Sequence, residues 1–336
     1  RLAPNPGADG TEVRAGLPAL GPGVYVVSWQ VLANDGHISA GEFAFAVGVS
    51  SAAPAGAQVT SGSISWRDGA ASWLFLAGLV LAIGGLASEA FVWQPISRRL
   101  GIGLPRAPVL LGLLLALLGA VLQFLLLAMA RESLGSESLR ATLFSQPGLL
   151  TAGEIAGAAY GLWIAWLPRL RAWALLPLVG VVFAAAFRGH SGASGAWWAP
   201  LANAVHLALA AFWIGALLHL VLVSWHSRGK APMQLLQAGT ERYARLALLS
   251  VPPLLLTGAA TALSEFTEPA QLIQTTYGRV LLLKVLAVVA ALALALASRV
   301  RALPALPSCF GLLGRLTRLE SLALAAVLTA TAVLAN

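Results

Sequence analysis

The chain of 336 residues is 58% hydrophobic and 10% charged, with a mean hydropathy of +0.81. Soluble domains hold roughly 45–50% apolar and about 25% charged residues, so a soluble globular protein is excluded and an integral membrane protein is expected. The net charge of +8 comes from basic residues that fall in short loops between apolar runs, the distribution of topology signals and not of a nucleic-acid surface, so no nucleic-acid partner is expected. The single cysteine, Cys309, excludes an internal disulfide and any Cys-x-x-Cys metal or redox site.

Residues 1–50 are unlike everything after them. Tyr25, Val27 and Trp29 alternate with smaller or polar residues, a turn-rich Asn34-Asp35-Gly36-His37 follows, and Glu42 to Val49 alternates again. That pattern predicts a β-hairpin around Asp35-Gly36. Through Tyr25, Trp29, Asp35, Gly36, His37, Gly41, Phe45 and Val47 the stretch resembles the closing strands of the CopC copper-resistance family, small periplasmic β-sandwiches. The resemblance implies a Cu(II) site containing Asp35 and His37. The stretch is about half the length such a sandwich needs and has no histidine before His37, so weak copper binding is expected of it.

Residues 51–69 are rich in Ser, Gly and Ala and read as a linker, with Trp66 placed to anchor at a membrane interface. Eight apolar runs then follow, near 70–93, 108–130, 149–167, 171–188, 200–225, 244–264, 278–298 and 316–335, each close to the roughly 20 residues that cross a bilayer. The loops after the first, third, fifth and seventh runs hold thirteen Lys and Arg residues, from Arg98 to Arg318, against four in the opposite loops. The positive-inside rule then places the first set in the cytoplasm and both chain ends outside, in the inner membrane of a bacterium once the family resemblance is added. The expected fold is an all-α polytopic membrane protein of about eight helices, residues 70–336, behind a small N-terminal β segment.

Ionisable residues inside such a bundle are functional candidates by default. Counting helical rise from the outer ends of the runs places Glu154, Arg188, His190, Asn203, His206, Lys284 and Met129 in one layer of the outer leaflet. Glu154 pairs with Lys284 or Arg188, and His190 and His206 can converge across a glycine-containing loop. Asn203 lies one turn before His206, and Trp213 two turns below it is expected to close the cavity. His219 and His226 read as interfacial. Gly153, Gly157 and Gly161 recur at four-residue spacing, which predicts a close helix contact.

The membrane part also resembles a second family, the CopD copper-resistance proteins of bacterial inner membranes. The resemblance rests on Gly189-His190, on Asn203, His206, Trp213 and Gly215, on Arg242 to Gly258, on Tyr277 to Lys284, and on the segment ending at Glu320. It implies copper handling and import from periplasm to cytoplasm, with a periplasmic copper carrier as partner and no enzymatic activity. Imidazole suits Cu(I), Cu(II) and haem iron alike, whereas a thioether such as Met129 favours Cu(I). The metal set expected is His190, His206, His37, Asp35 and Met129, supported by Asn203, Trp213, Glu154, Lys284 and Arg188. Two alternatives stand beside it: a membrane redox protein whose histidines ligate haem b, and a copper sensor or scaffold that does not transport. The sequence carries no phosphate-binding loop of the G-x-x-x-x-G-K-[ST] type, so nucleotide-driven transport is not expected.

Overall fold

A computed structural model describes residues 4–6, 13–32, 38–48, 66–130, 135–188, 196–226, 233–265, 271–302 and 310–334. Asp35, His37, His190, Cys309 and the linker up to residue 65 lie outside the described residues. Two compact units divide the chain, one holding the strands and the other all the helices.

In the first unit, β1 (Pro4–Pro6) pairs antiparallel with β2 (Val13–Ala15), and β3 (Gly23–Leu32) pairs antiparallel with β4 (Ile38–Val47). The β3–β4 register sets Tyr25 against Phe45 and Leu32 against Ile38, the antiparallel pairing that the alternation predicts; the connection at residues 33–37 lies outside the described residues. The rings of Tyr25 and Phe45 stack at 5.7 Å, the kind of cross-strand aromatic pair that holds a register. Gly48 leaves the strand at φ +64°, a conformation open to residues without a Cβ.

The second unit is a helical bundle. Its helices are α1 (Trp66–Leu100), α2 (Val109–Met129), α3 (Ser136–Leu143), α4 (Gln146–Trp166), α5 (Arg171–Arg188), α6 (Ala199–His226), α7 (Met233–Glu265), α8 (Gln271–Gln274), α9 (Thr276–Ala297) and α10 (Phe310–Leu334). Among the described residues seven are long and apolar enough to cross a bilayer: α1, α2, α5, α6, α7, α9 and α10. Helix α4 coincides with the remaining predicted run and, at 21 residues, spans about 31 Å. It is less apolar because it carries Glu154, Thr151 and several glycines, and it is packed between α2 and α5, where protein replaces lipid. The protein is thus a polytopic helical membrane protein with a small β segment.

Boundaries differ from expectation in two places. Helix α1 begins at Trp66, so the last residues of the expected linker are helical, and it continues to Leu100 through π-helical turns at Val80–Gly84 and Glu89–Trp93. Helix α7 starts at Met233 and runs 33 residues despite Pro252 and Pro253 in its interior.

Close backbone approach also lies elsewhere than the predicted stripe. A Cβ added at Gly157 would meet Val181 at 2.6 Å and one at Gly161 would meet Leu113 at 3.3 Å, but Gly153 faces open space. The tighter seams belong to α1. Gly84 packs against the backbone of Ala211 and Gly215 on α6, and Gly78 against Gly112 and Ala116 on α2, so a side chain at either position would strike main chain. These contacts fix α1 as the central helix on which α2 and α6 are laid.

Candidate metal-handling site

The bundle has two ends of different chemistry. One, where α1, α4, α6 and α9 begin, carries the predicted layer; the other carries Arg98, Arg99, Arg242, Arg245, Arg299 and Arg301. We refer to them as the histidine end and the arginine end.

At the histidine end the side chains assemble into two clusters. In the first, Glu154 of α4 is completely buried. Arg188 at the end of α5 donates its Nε–H to Glu154 Oε1 at 3.0 Å and an Nη2 proton to Gln123 Oε1 of α2 at 2.8 Å. Gln123 in turn donates to Ser72 Oγ of α1 at 3.0 Å, and the guanidinium lies 5.9 Å from the Phe75 ring centroid. Four helices are knitted by this chain, and Glu154 Oε2 has no hydrogen-bond partner among the described residues. A buried, unsatisfied carboxylate oxygen is costly, and its presence marks a place where something polar can still be accommodated.

The second cluster centres on His206 of α6. Its Nδ1 lies 3.1 Å from the Leu254 carbonyl oxygen and 3.3 Å from Thr257 Oγ1, both on α7. A carbonyl can only accept, so the contact assigns the proton to Nδ1 and makes Nε2 the ring's acceptor nitrogen. That is the orientation a metal-ligating histidine takes, with a backbone carbonyl holding the ring by its other nitrogen. Gly258 makes room for the ring: a Cβ there would lie 2.9 Å from His206 Cε1. Lys284 of α9 is near enough to act electrostatically on the ring.

Counted along each helix, Ser72, Glu154, His206 and Lys284 sit six to eight residues in from the ends at Trp66, Gln146, Ala199 and Thr276, and Thr257 sits eight residues from the end of α7. At 1.5 Å per residue that is about 9–12 Å of depth for every one of them. By this count Glu154, His206 and Lys284 share a depth, while His190 lies outside the described residues. The ion pair there is Glu154 with Arg188. Asn203 stands on α6 one turn before His206, part-buried. Met129 ends α2 with 48% of its surface exposed. Trp213 is buried and lines a different cavity, towards the arginine end. Among the described residues no group of three or more His, Cys, Asp and Glu side chains is placed to hold a metal ion.

The arginine end holds groups that the sequence reading passed over. Glu89, in the second π-helical turn of α1, receives Arg171 through Nε at 3.2 Å and Nη2 at 3.0 Å, the Ala107 backbone N–H at 2.7 Å, and Arg106 at 3.6 Å. Arg171 also donates to the Ala107 carbonyl. His219 is fully buried in place of the interfacial position expected for it, with Nδ1 3.1 Å from Ser88 Oγ and Trp93 edge-on at 5.8 Å. A lone acidic residue inside the first apolar run was the available signal for Glu89.

Comparison with protein families supplies the context for this geometry. Residues 237–334 match Copper resistance protein D, and residues 2–48 match the CopC domain. Both resemblances read from the sequence are thereby supported, and both connect the chain with copper resistance. The first match begins within α7 and takes in Leu254, Thr257, Gly258 and Lys284, the groups that surround His206, while His206 itself lies outside it. No curated protein and no solved structure matches the chain.

Proposed function

We propose that the protein binds copper at the histidine end of its membrane bundle and carries it across the bacterial inner membrane into the cell. The observation that supports this reading is the Leu254 carbonyl on Nδ1 of His206, which makes Nε2 the acceptor nitrogen at the depth of a carboxylate oxygen of Glu154 that has no hydrogen-bond partner among the described residues. A neutral imidazole is an adaptable ligand for either oxidation state of copper. The CopC-like segment and both chain ends lie on the periplasmic side in this reading, where a copper carrier delivers the ion, and the protein transports without catalysing a reaction. The two membrane histidines whose side chains are described, His206 and His219, are thirteen residues apart on one helix, about 20 Å along its axis. They cannot both ligate one haem iron, so nothing in the geometry favours the haem alternative.

Cellular copper accumulation tests the proposal. His206→Ala is expected to reduce uptake to the level of cells lacking the protein while the variant remains in the membrane, and uptake equal to wild type would overturn the assignment. Reporter fusions test the orientation: one after Asn336 should behave as periplasmic and one within residues 227–232 as cytoplasmic.

A further inference from the structure

Towards the arginine end, α6 packs on α7 and α9 packs on α10. Between the two pairs lies a cavity of about 230 Å³, lined by Trp213, Leu217 and Leu220 of α6, a face of α7 from Thr240 to Val251, Leu292 to Arg299 on α9 and its continuation, and Leu313, Thr317 and Glu320 of α10. An apolar cavity of about 150 Å³ accepts a benzene ring, so this one has room for a substituted six-membered ring. Two of its lining residues, Leu248 of α7 and Leu296 of α9, are 54% and 61% exposed on the outer surface of the bundle. The cavity therefore opens sideways between α7 and α9, into hydrocarbon.

One group in this wall does not belong to an empty apolar cavity. Glu320 is 2% exposed, and its Oε1 has no hydrogen-bond partner among the described residues. The Trp213 indole is close enough to reach the same carboxyl group, and Arg299 stands on the opposite wall with one guanidinium nitrogen donating to the Ala244 carbonyl at 3.2 Å. Of the four hydroxyls lining the cavity, three donate to backbone carbonyls, and Ser298 Oγ has no hydrogen-bond partner among the described residues. Thr240 donates to Leu236 O at 2.7 Å, Thr317 to Leu313 O at 2.9 Å, and Tyr243 to Trp213 O at 3.4 Å. Each of them offers lone pairs to the interior, and Glu320 offers more. Such a cavity is complementary to a molecule with an apolar body, a ring of limited size, and a hydrogen-bond donor at the ring's edge.

We propose that this cavity binds a lipid-soluble hydroquinone, ring first, with a phenolic hydroxyl donating to Glu320 Oε1 and the alkyl tail leaving between Leu248 and Leu296. Haem does not fit the same wall, because no histidine lines the cavity among its described residues. The binding requires no copper and stands apart from the His206 site.

The test uses the full-length, metal-free protein in lipid nanodiscs, with a decyl-substituted hydroquinone kept under anaerobic conditions and its O,O-dimethyl ether as the two probes. Wild type should bind the hydroquinone saturably and the ether at least about tenfold more weakly, since a hydrogen bond to a charged group is worth roughly 1.5–3 kcal/mol. Glu320→Leu should lose about the same factor for the hydroquinone while unfolding no earlier than wild type, because it removes an unsatisfied buried group. Ala247→Phe, which fills the cavity, should abolish saturable binding. Equal affinity for the two probes would overturn the proposal, as would non-saturable partitioning or unaltered binding by Glu320→Leu. Native mass spectrometry showing phosphatidylethanolamine retained and excluding the hydroquinone would also overturn it, assigning the carboxylate to an ammonium headgroup.

Discussion

Two buried carboxylates of the bundle, each paired with an arginine, are built to different standards. Glu89 at the arginine end is closed on every side: Arg171 holds both oxygens, the Ala107 N–H occupies one of them, and Arg106 approaches the other. Glu154 at the histidine end has one bond from Arg188 and a second oxygen with none among the described residues. Burying an ion pair is repaid only when geometry and additional hydrogen bonds satisfy the remaining lone pairs. Glu89 meets that condition and ties α1, the α1–α2 connection and α5 together. Glu154 does not, and it sits at the depth of His206, whose Nε2 is the acceptor nitrogen of its ring. The difference separates a structural clamp from a layer with capacity left for a cation.

Breaking the clamp should have the largest effect on stability. Glu89→Gln leaves the Arg171 guanidinium, 13% exposed, without its counter-charge and is expected to cost about 3–5 kcal/mol. Thermal unfolding in detergent reads this, and copper uptake per folded molecule should hardly change. A normal melting temperature for Glu89→Gln would show that the two carboxylates are not distinguished as argued.

Glu154→Gln should behave in the opposite way. The amide oxygen still accepts from Arg188, which keeps Gln123 and the Phe75 face and is 23% exposed, so the loss of stability is expected to be about 1–2 kcal/mol. Uptake should nonetheless fall severalfold, because the unpartnered oxygen that faces the layer is replaced by a donor. Rates of copper accumulation normalised to protein in the membrane separate that outcome from a folding defect.

Smaller again is the effect expected of Gly258. A valine there puts methyl groups where the His206 ring now lies, displacing it from the Leu254 carbonyl. Copper affinity of the purified protein should weaken by about tenfold with little change in unfolding, and Gly258→Ala should fall between. Identical affinity in Gly258→Val would mean that the orientation of the ring does not matter to the metal.

The large features of this protein were legible because bilayer physics writes them plainly. Runs of apolar residues located the eight long helices of the described residues, and the alternation on either side of Asp35-Gly36 located the paired strands β3 and β4. Helical rise alone placed Glu154, His206 and Lys284 at one depth. What could not be read was the angle of each helix about its axis. The sequence left Glu154 a choice of Arg188 or Lys284, and tertiary packing chose Arg188. The glycine stripe of α4 was visible as a pattern, yet the closest approaches formed at Gly84 with Gly215 and at Gly78 with Gly112, pairs whose members lie on different helices and have no common spacing. For a related reason Glu89 was overlooked, His219 was placed at the interface, and Glu320 was read only as the end of a matching segment. Only the neighbours of each from other helices reveal that it is buried.

The central claim is that copper binds at the histidine end through the acceptor nitrogen Nε2 of His206. Equilibrium titration of the purified full-length protein with Cu(I), competed against a chromophoric chelator, tests this most directly. The account predicts that wild type and His219→Ala bind Cu(I) alike and that His206→Ala loses the site. Binding by His206→Ala as tight as wild type would contradict it.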